Sequence, residues 1–275
     1  MIRTTLAETR LLSRRPGTWI LLGIWTLMAT MFGYVIPYVS RNEAAGIYGI
    51  RDLLPNQVTT TALSGFPFFG GVMVLILAVM TFGGDYGWNV VKTLLTQRSG
   101  RLTVFASKAL ALAIWLVPFV ALAMLASIGA SEIVAFAQNA PGDLQSVGTL
   151  LKGALAAWLI LAVWAALGVL LATVTRGTSF AIGLGILYGL VVEGLLSAFF
   201  DGISSLEPLL NGLIRTNSYS LVAPLGNIQE IARDNGPGSF SGPYVGGWQS
   251  LIVLIAYLAL FTGISAAIFR RRDVN

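Results

Sequence analysis

The 275 residues are 56% hydrophobic and only 11% charged, with a mean hydropathy of +0.79. Soluble domains carry roughly a quarter charged residues, so this composition excludes an ordinary soluble protein and points to a chain solvated by lipid. Histidine and cysteine are both absent, which removes disulfides, thiol nucleophiles and the imidazole that Ser-His and metal-dependent intramembrane enzymes need. No G-x-x-x-x-G-K-[ST] phosphate loop occurs either, so uphill work would draw on another subunit or an ion gradient. The expected chain is therefore non-catalytic.

Six apolar runs are long enough to cross about 30 Å of hydrocarbon as helices. They lie at 17–39, 64–84, 104–130, 152–175, 178–200 and 248–269. The runs are continuous rather than alternating, which disfavours a β-barrel. The expected fold is an all-α membrane protein: one six-helix transmembrane domain over residues 1–275.

Residues 1–16 place Ile2, Leu6, Leu11 and Leu12 at helical spacing among Arg3, Arg10 and Arg14, the pattern of an amphipathic interfacial helix. Pro16 then opens span one, where a missing N–H does no harm. That run is too long for a signal-peptide core and no small-x-small site follows it, so it reads as a mature helix. The loop at 40–63 is polar and suggests no chemistry. Span two carries Gly65, Pro67, Gly70 and Gly71 near one end, small residues that permit close helix approach.

Between spans two and three lies the most informative stretch, Gly83 to Lys108. Gly83, Gly84 and Gly87 loosen the helix as it leaves the apolar run. From Trp88 to Arg98, the side chains of Val90, Val91, Leu94 and Leu95 share one helical face, opposite Lys92 and its polar neighbours. Ser99-Gly100 stops the helix. Such a knob can be gripped by a cytoplasmic partner or can float on lipid with Lys92 snorkelling; the residues alone leave both open.

Span three contains Pro118, which should kink it. Spans four and five are joined only around Arg176-Gly177, a tight antiparallel hairpin. Span five offers Gly183, Gly185, Gly189 and Gly194 for close packing. Glu193 is the single ionisable residue well inside an expected span. A charge at such depth usually faces a cavity or a partner, so Glu193 is a candidate for the substrate path, with a structural pair to Arg215, or a protonated glutamic acid bonded to backbone, as the other reading. In the segment 201–247, Leu206 to Ile214 and Leu221 to Ile231 form two apolar turn sets. These should fold back, re-entrant-like, into the bundle before span six.

With six spans both termini share a side. Twelve of the seventeen Lys and Arg residues fall on it, including Arg270, Arg271 and Arg272, so both termini are expected in the cytoplasm. The pI near 9.7 is explained by cations facing anionic lipid, and no nucleic acid is implied.

Asp85-Tyr86-x-Trp88, Lys92-Thr93-Leu94-Leu95-Thr96, Arg98-x-x-Arg101 and Lys108 together resemble the cytoplasmic loop of type-two permeases of ATP-binding-cassette (ABC) transporters. The ending Ile268-Phe269-Arg270-Arg271-Arg272-Asp273 is similar too, as are the span count and the amphipathic start. The chain departs at Asn89-Val90, where many members carry Gly-Thr. The resemblance implies an exporter-type transmembrane subunit in the cell (inner or plasma) membrane, with a coupling helix in the loop 84–101. Asp85, Tyr86, Trp88, Lys92, Arg98 and Arg101 would then contact a separate ABC ATPase, present in two copies. It also implies a second permease copy, as a homodimer, and short outer helices over the pathway. The chain itself would hold no cofactor or metal, while ATP and Mg would sit in the partner subunit. The substrate expected is an amphipathic drug, antibiotic peptide or lipid. An ATP-independent secondary transporter or channel is the alternative. It would need several ion-binding groups or inverted repeats, of which only Glu193 is visible.

Overall fold

The computed structural model describes residues 1–40, 50–87, 100–200, 206–225 and 244–271, and among them only helical segments and their connections occur. The regular elements are α1 (Ile2–Arg14), α2 (Pro16–Val39), α3 (Pro55–Gly84), α4 (Arg101–Ala137), α5 (Val147–Thr175), α6 (Ser179–Leu196), α7 (Glu207–Asn211), α8 (Ile214–Val222) and α9 (Gly247–Arg271). Six of them, α2 to α6 and α9, are long and apolar enough to cross a membrane. Their internal i→i−4 bonds satisfy the backbone where no water would.

Helix boundaries follow local chemistry. Arg15 is extended, which separates α1 from α2, and Pro16 occupies the first position of the next helix. Ser146 caps α5 by accepting the backbone N–H of Thr149 at 3.2 Å. Arg176, left-handed at φ 57°, ends it and begins the tight turn to α6. Pro118 lies inside the unbroken α4. The indole of Trp158 donates to the Ala113 carbonyl at 3.1 Å, next to the Ile114 carbonyl that Pro118 deprives of its helical donor.

Two expected boundaries move. The second long helix begins at Pro55 rather than at 64, and Thr59, Thr60 and Thr61, expected in a polar loop, are buried in the bundle. The third runs Arg101–Ala137, beyond the expected 104–130. At the start of α3, polar residues extend the helix past its apolar run because a neighbouring loop supplies a partner. The Gln145 side-chain oxygen accepts the Thr59 backbone N–H at 3.0 Å and its hydroxyl at 2.5 Å.

α3 and α5 form the centre, and the most exposed of the long helices are α2, α6 and α9. The central pair meets through missing side chains. A Cβ on Gly168 would stand 2.7 Å from the Leu75 carbonyl oxygen. The fully buried Trp164 ring fills the space above Gly71 and Gly189, where added Cβ atoms would lie 2.6 and 2.8 Å from it. Trp25 does the same beside Gly70 and donates its indole N–H to the Phe119 carbonyl at 3.1 Å. Small-residue contact of this kind is what packs helices where the surrounding lipid is as apolar as the side chains.

Gly168→Ala is therefore expected to destabilise the bundle by about 1–3 kcal/mol through overpacking against backbone. Gly23→Ala should be neutral, since nothing lies within 4 Å of its added methyl. Thermal denaturation of the two variants in one detergent checks the contrast.

Candidate functional site

Polar contacts concentrate at two ends of the bundle. At the end that carries both termini, α1 lies along the first turns of α4. The Lys108 ammonium, 3% exposed, meets the Glu8 carboxylate at 3.2 Å. The Thr4 and Ser107 hydroxyls are 2.7 Å apart, and the Trp115 indole donates to the Thr9 carbonyl at 3.2 Å. Leu12 buries its side chain in the core, while Ile2, Leu6 and Leu11 remain exposed. Arg101 donates to the Arg270 carbonyl at 3.5 Å, which ties the start of α4 to the end of α9. Just before residue 84 in sequence, Gly83 lies against the turn between α5 and α6. A Cβ there would meet the Gly177 carbonyl oxygen at 3.2 Å and Thr178 Cγ2 at 3.0 Å.

Of the residues expected to couple to an ATPase, Arg101 is thus placed at the first position of α4. Asp85 and Tyr86 fall in the helical segment Gly71–Gly87, but their side chains lie outside the description. Trp88, Lys92 and Arg98 lie outside the described residues altogether.

At the far end, Glu193 is fully buried. One carboxylate oxygen accepts the Tyr188 hydroxyl at 2.6 Å and the Ile214 backbone N–H at 2.8 Å; the other accepts the Arg215 N–H at 3.0 Å. Those two N–H groups open α8, so Glu193 acts as its N-terminal cap from another helix. A carboxylate suits that position because helix N-termini carry unpaired donors and partial positive charge. Glu193 thus meets backbone N–H groups, one of them that of Arg215. The Arg215 guanidinium carbon stands 5.2 Å from the Phe68 ring centroid and 6.0 Å from that of Tyr219, within cation–π range.

α8 itself, IRTNSYSLV, is largely buried: Ile214 to Ser220 and Val222 are buried, and Leu221 is partly exposed. The Tyr257 hydroxyl donates to the Gly212 carbonyl at 2.8 Å, and the Val245 N–H donates to the Ser220 hydroxyl at 3.1 Å. Tyr257 is ten residues along α9, about 15 Å from its first residue. α8 therefore starts at mid-height of α9 and climbs toward the end where α9 begins. Asn217 donates to the Asn211 and Leu213 carbonyls, both at 2.8 Å. Its Oδ1, however, and the hydroxyls of Thr216 and Ser218 have no hydrogen-bond partner among the described residues. Each buried, unpaired polar atom costs about 1–3 kcal/mol. Among the described residues, no group of three or more acidic side chains is arranged to hold a metal ion.

Tyr188 and Glu8 were not anticipated as site residues. Glu8 stands one helical turn from Leu12 and Thr4 on the buried side of α1, a signal available in the periodicity. Tyr188 had none, since residues five apart do not share a face of an α-helix.

Six membrane-length helices, two of them a tight central pair, define a multi-pass membrane protein. The chain belongs to the DUF2705 family, described as proteins of unknown function, which it matches over residues 20–275. Comparison with curated proteins gives no match.

Removing Glu8 takes the carboxylate away from a buried ammonium. Glu8→Ala is expected to lower stability by about 3–5 kcal/mol, and Glu8→Ala combined with Lys108→Met to recover most of that loss. Denaturation of the single and double variants measures the recovery; equal losses would show that the pair contributes nothing specific.

Proposed function

We propose that this chain is the transmembrane subunit of an ATP-driven ABC exporter, working as a homodimer with a separate ATP-binding subunit docked under each copy. The observation that carries this reading is the anchoring of both ends of the 84–101 segment. The end leaving α3 rests on the α5–α6 turn through Gly83, and the end entering α4 is bonded to α1 and α9 through Lys108 and Arg101. A push on that segment therefore reaches α3, α5 and α6 by one root and α1, α4 and α9 by the other. That is the mechanical requirement of a coupling helix, with Asp85, Tyr86, Trp88, Lys92, Arg98 and Arg101 as its contacts to the motor.

In this reading both termini are cytoplasmic and the membrane is the inner or plasma membrane. α1 lies at the inner surface with Ile2, Leu6 and Leu11 in the headgroup boundary. α7 and α8 are re-entrant-like helices in the outer half. Glu193, about 10 Å short of Phe200, sits at the same level. ATP binding draws the two ATPases together and shifts the permeases between two packings; hydrolysis, with Mg in the partner, resets them. The exposed apolar faces of α2, α6 and α9 suit an amphipathic cargo, such as a drug, an antibiotic peptide or a lipid.

Co-purification with an ATPase encoded beside this chain, followed by hydrolysis assays in proteoliposomes, tests the proposal. Asp85→Ala and Arg101→Ala are expected to leave the fold intact and to reduce permease-stimulated hydrolysis at least tenfold. Full assembly and full stimulation in both variants would overturn the coupling assignment.

A further inference from the structure

We infer that α8 is a movable polar plug in the outer half of the bundle, latched by Glu193 through the π-helical register of α6. Release of the latch brings Thr216, Asn217 and Ser218 to water or cargo. The inference rests on the proposed transport function for its purpose, but not for its geometry.

The latch depends on one irregularity. Within α6 the turn Leu187–Val192 is π-helical. An i→i+5 turn accommodates one extra residue and places residues five apart above one another. Tyr188 and Glu193 are five apart. In α register they would point about 140° apart, and the 2.6 Å hydrogen bond between them could not form. The π turn thus aims the carboxylate at Tyr188 and at the first N–H groups of α8 together. Sliding the extra residue past Glu193, toward Phe200, would swing the carboxylate by about 100° relative to Tyr188 and strip α8 of its cap.

The plug is built to leave. A helix meant to stay in an apolar core would be apolar, yet α8 presents hydroxyl and amide groups on successive residues, all inaccessible. The hydroxyls of Thr216 and Ser218 and the Oδ1 of Asn217 lack partners among the described residues, and a buried polar atom left unpaired calls for an explanation. Moved outward, these groups would gain water or the polar portion of a cargo. Among the described residues the closed packing leaves them unsatisfied, and the three hydrogen bonds to Glu193 oppose that tendency.

The π turn also occurs elsewhere near this level. Met31–Val35 in α2 and Phe66–Gly70 in α3 are π-helical, and Phe32 stacks on Phe69 with centroids 5.6 Å apart. Phe68, from the second of these, is the ring under Arg215. Of these turns, the one in α3 packs against α8, whose other neighbours α9 and α5 are regular helices, whereas the end bearing the termini is cross-linked by the Glu8–Lys108 pair.

Because the natural chain has no cysteine, single cysteines report position without background. Ser218→Cys and, as a control, Ser265→Cys are introduced separately into the full chain in membrane vesicles, without any ATPase, and labelled with a small water-soluble maleimide. Both serines are fully buried, so both should label slowly. Adding Glu193→Gln, which keeps one acceptor for three donors, is expected to speed labelling at 218 at least tenfold and to leave 265 unchanged. Equal rates at 218 with and without Glu193→Gln overturn the latch. Faster labelling at both positions overturns it too, since Glu193 would then hold the whole bundle. Deleting Val191 removes the extra residue but keeps Tyr188 and the glutamate one α-turn apart, so position 218 should stay slow; fast labelling there overturns the register mechanism. Addition of the ATPase and ATP then separates the two ideas. If labelling at 218 does not respond to ATP while the Glu193→Gln effect persists, the exporter reading falls and the latch stands.

Discussion

Backbone polar groups inside an apolar bundle must find partners within the protein, because no water is there to replace them. The rest of this structure follows from that constraint. The six long helices meet it by their own ladders, and their ends meet it by borrowing. Gln145 supplies acceptors to Thr59, Ser146 caps α5, and Glu193 accepts the first N–H groups of α8. Only because a carboxylate is waiting at that spot can a short polar helix begin in the middle of the bundle.

The two ends of the molecule are built differently. Near the termini a buried ion pair, hydroxyl contacts and an indole–carbonyl bond fasten α1 to α4, and Arg101 fastens α4 to α9. Desolvated charge pairs tolerate little displacement, since separating them leaves an uncompensated ion. At the far end, π turns interrupt three helices, and a polar helix is held by a few hydrogen bonds. A stiff end joined to a yielding end is the arrangement that the proposed exporter reading calls for. The rigid central pair, α3 and α5, connects them through glycine contacts with Trp164.

Much of the fold was legible in the residues. Apolar runs of membrane length located all six long helices, and Pro16 and Arg176 mark real boundaries. The two apolar turn sets expected to fold back, 206–214 and 221–231, flank the helix that is in fact buried, the polar α8, and residues 226–231 of the second set lie outside the described residues. The threonines at 59–61 were not legible as buried, because hydropathy scores a residue by type and cannot see Gln145 reaching across from another loop. The Glu193 candidate was legible as a buried charge, but its partners were not. Tyr188 sits at a spacing that α periodicity assigns to different faces, and the N–H groups of Ile214 and Arg215 belong to the backbone, which carries no sequence signature.

The sequence by itself determined that this is a six-helix membrane protein and that one carboxylate would lie deep within it, because transfer of apolar surface and the burial of charge depend on residue type and run length alone. Only the tertiary structure decided what that carboxylate does. Its role as the cap of a buried polar helix arises from a π turn in one helix meeting the first turn of another twenty residues away, and such register is set by packing rather than by composition.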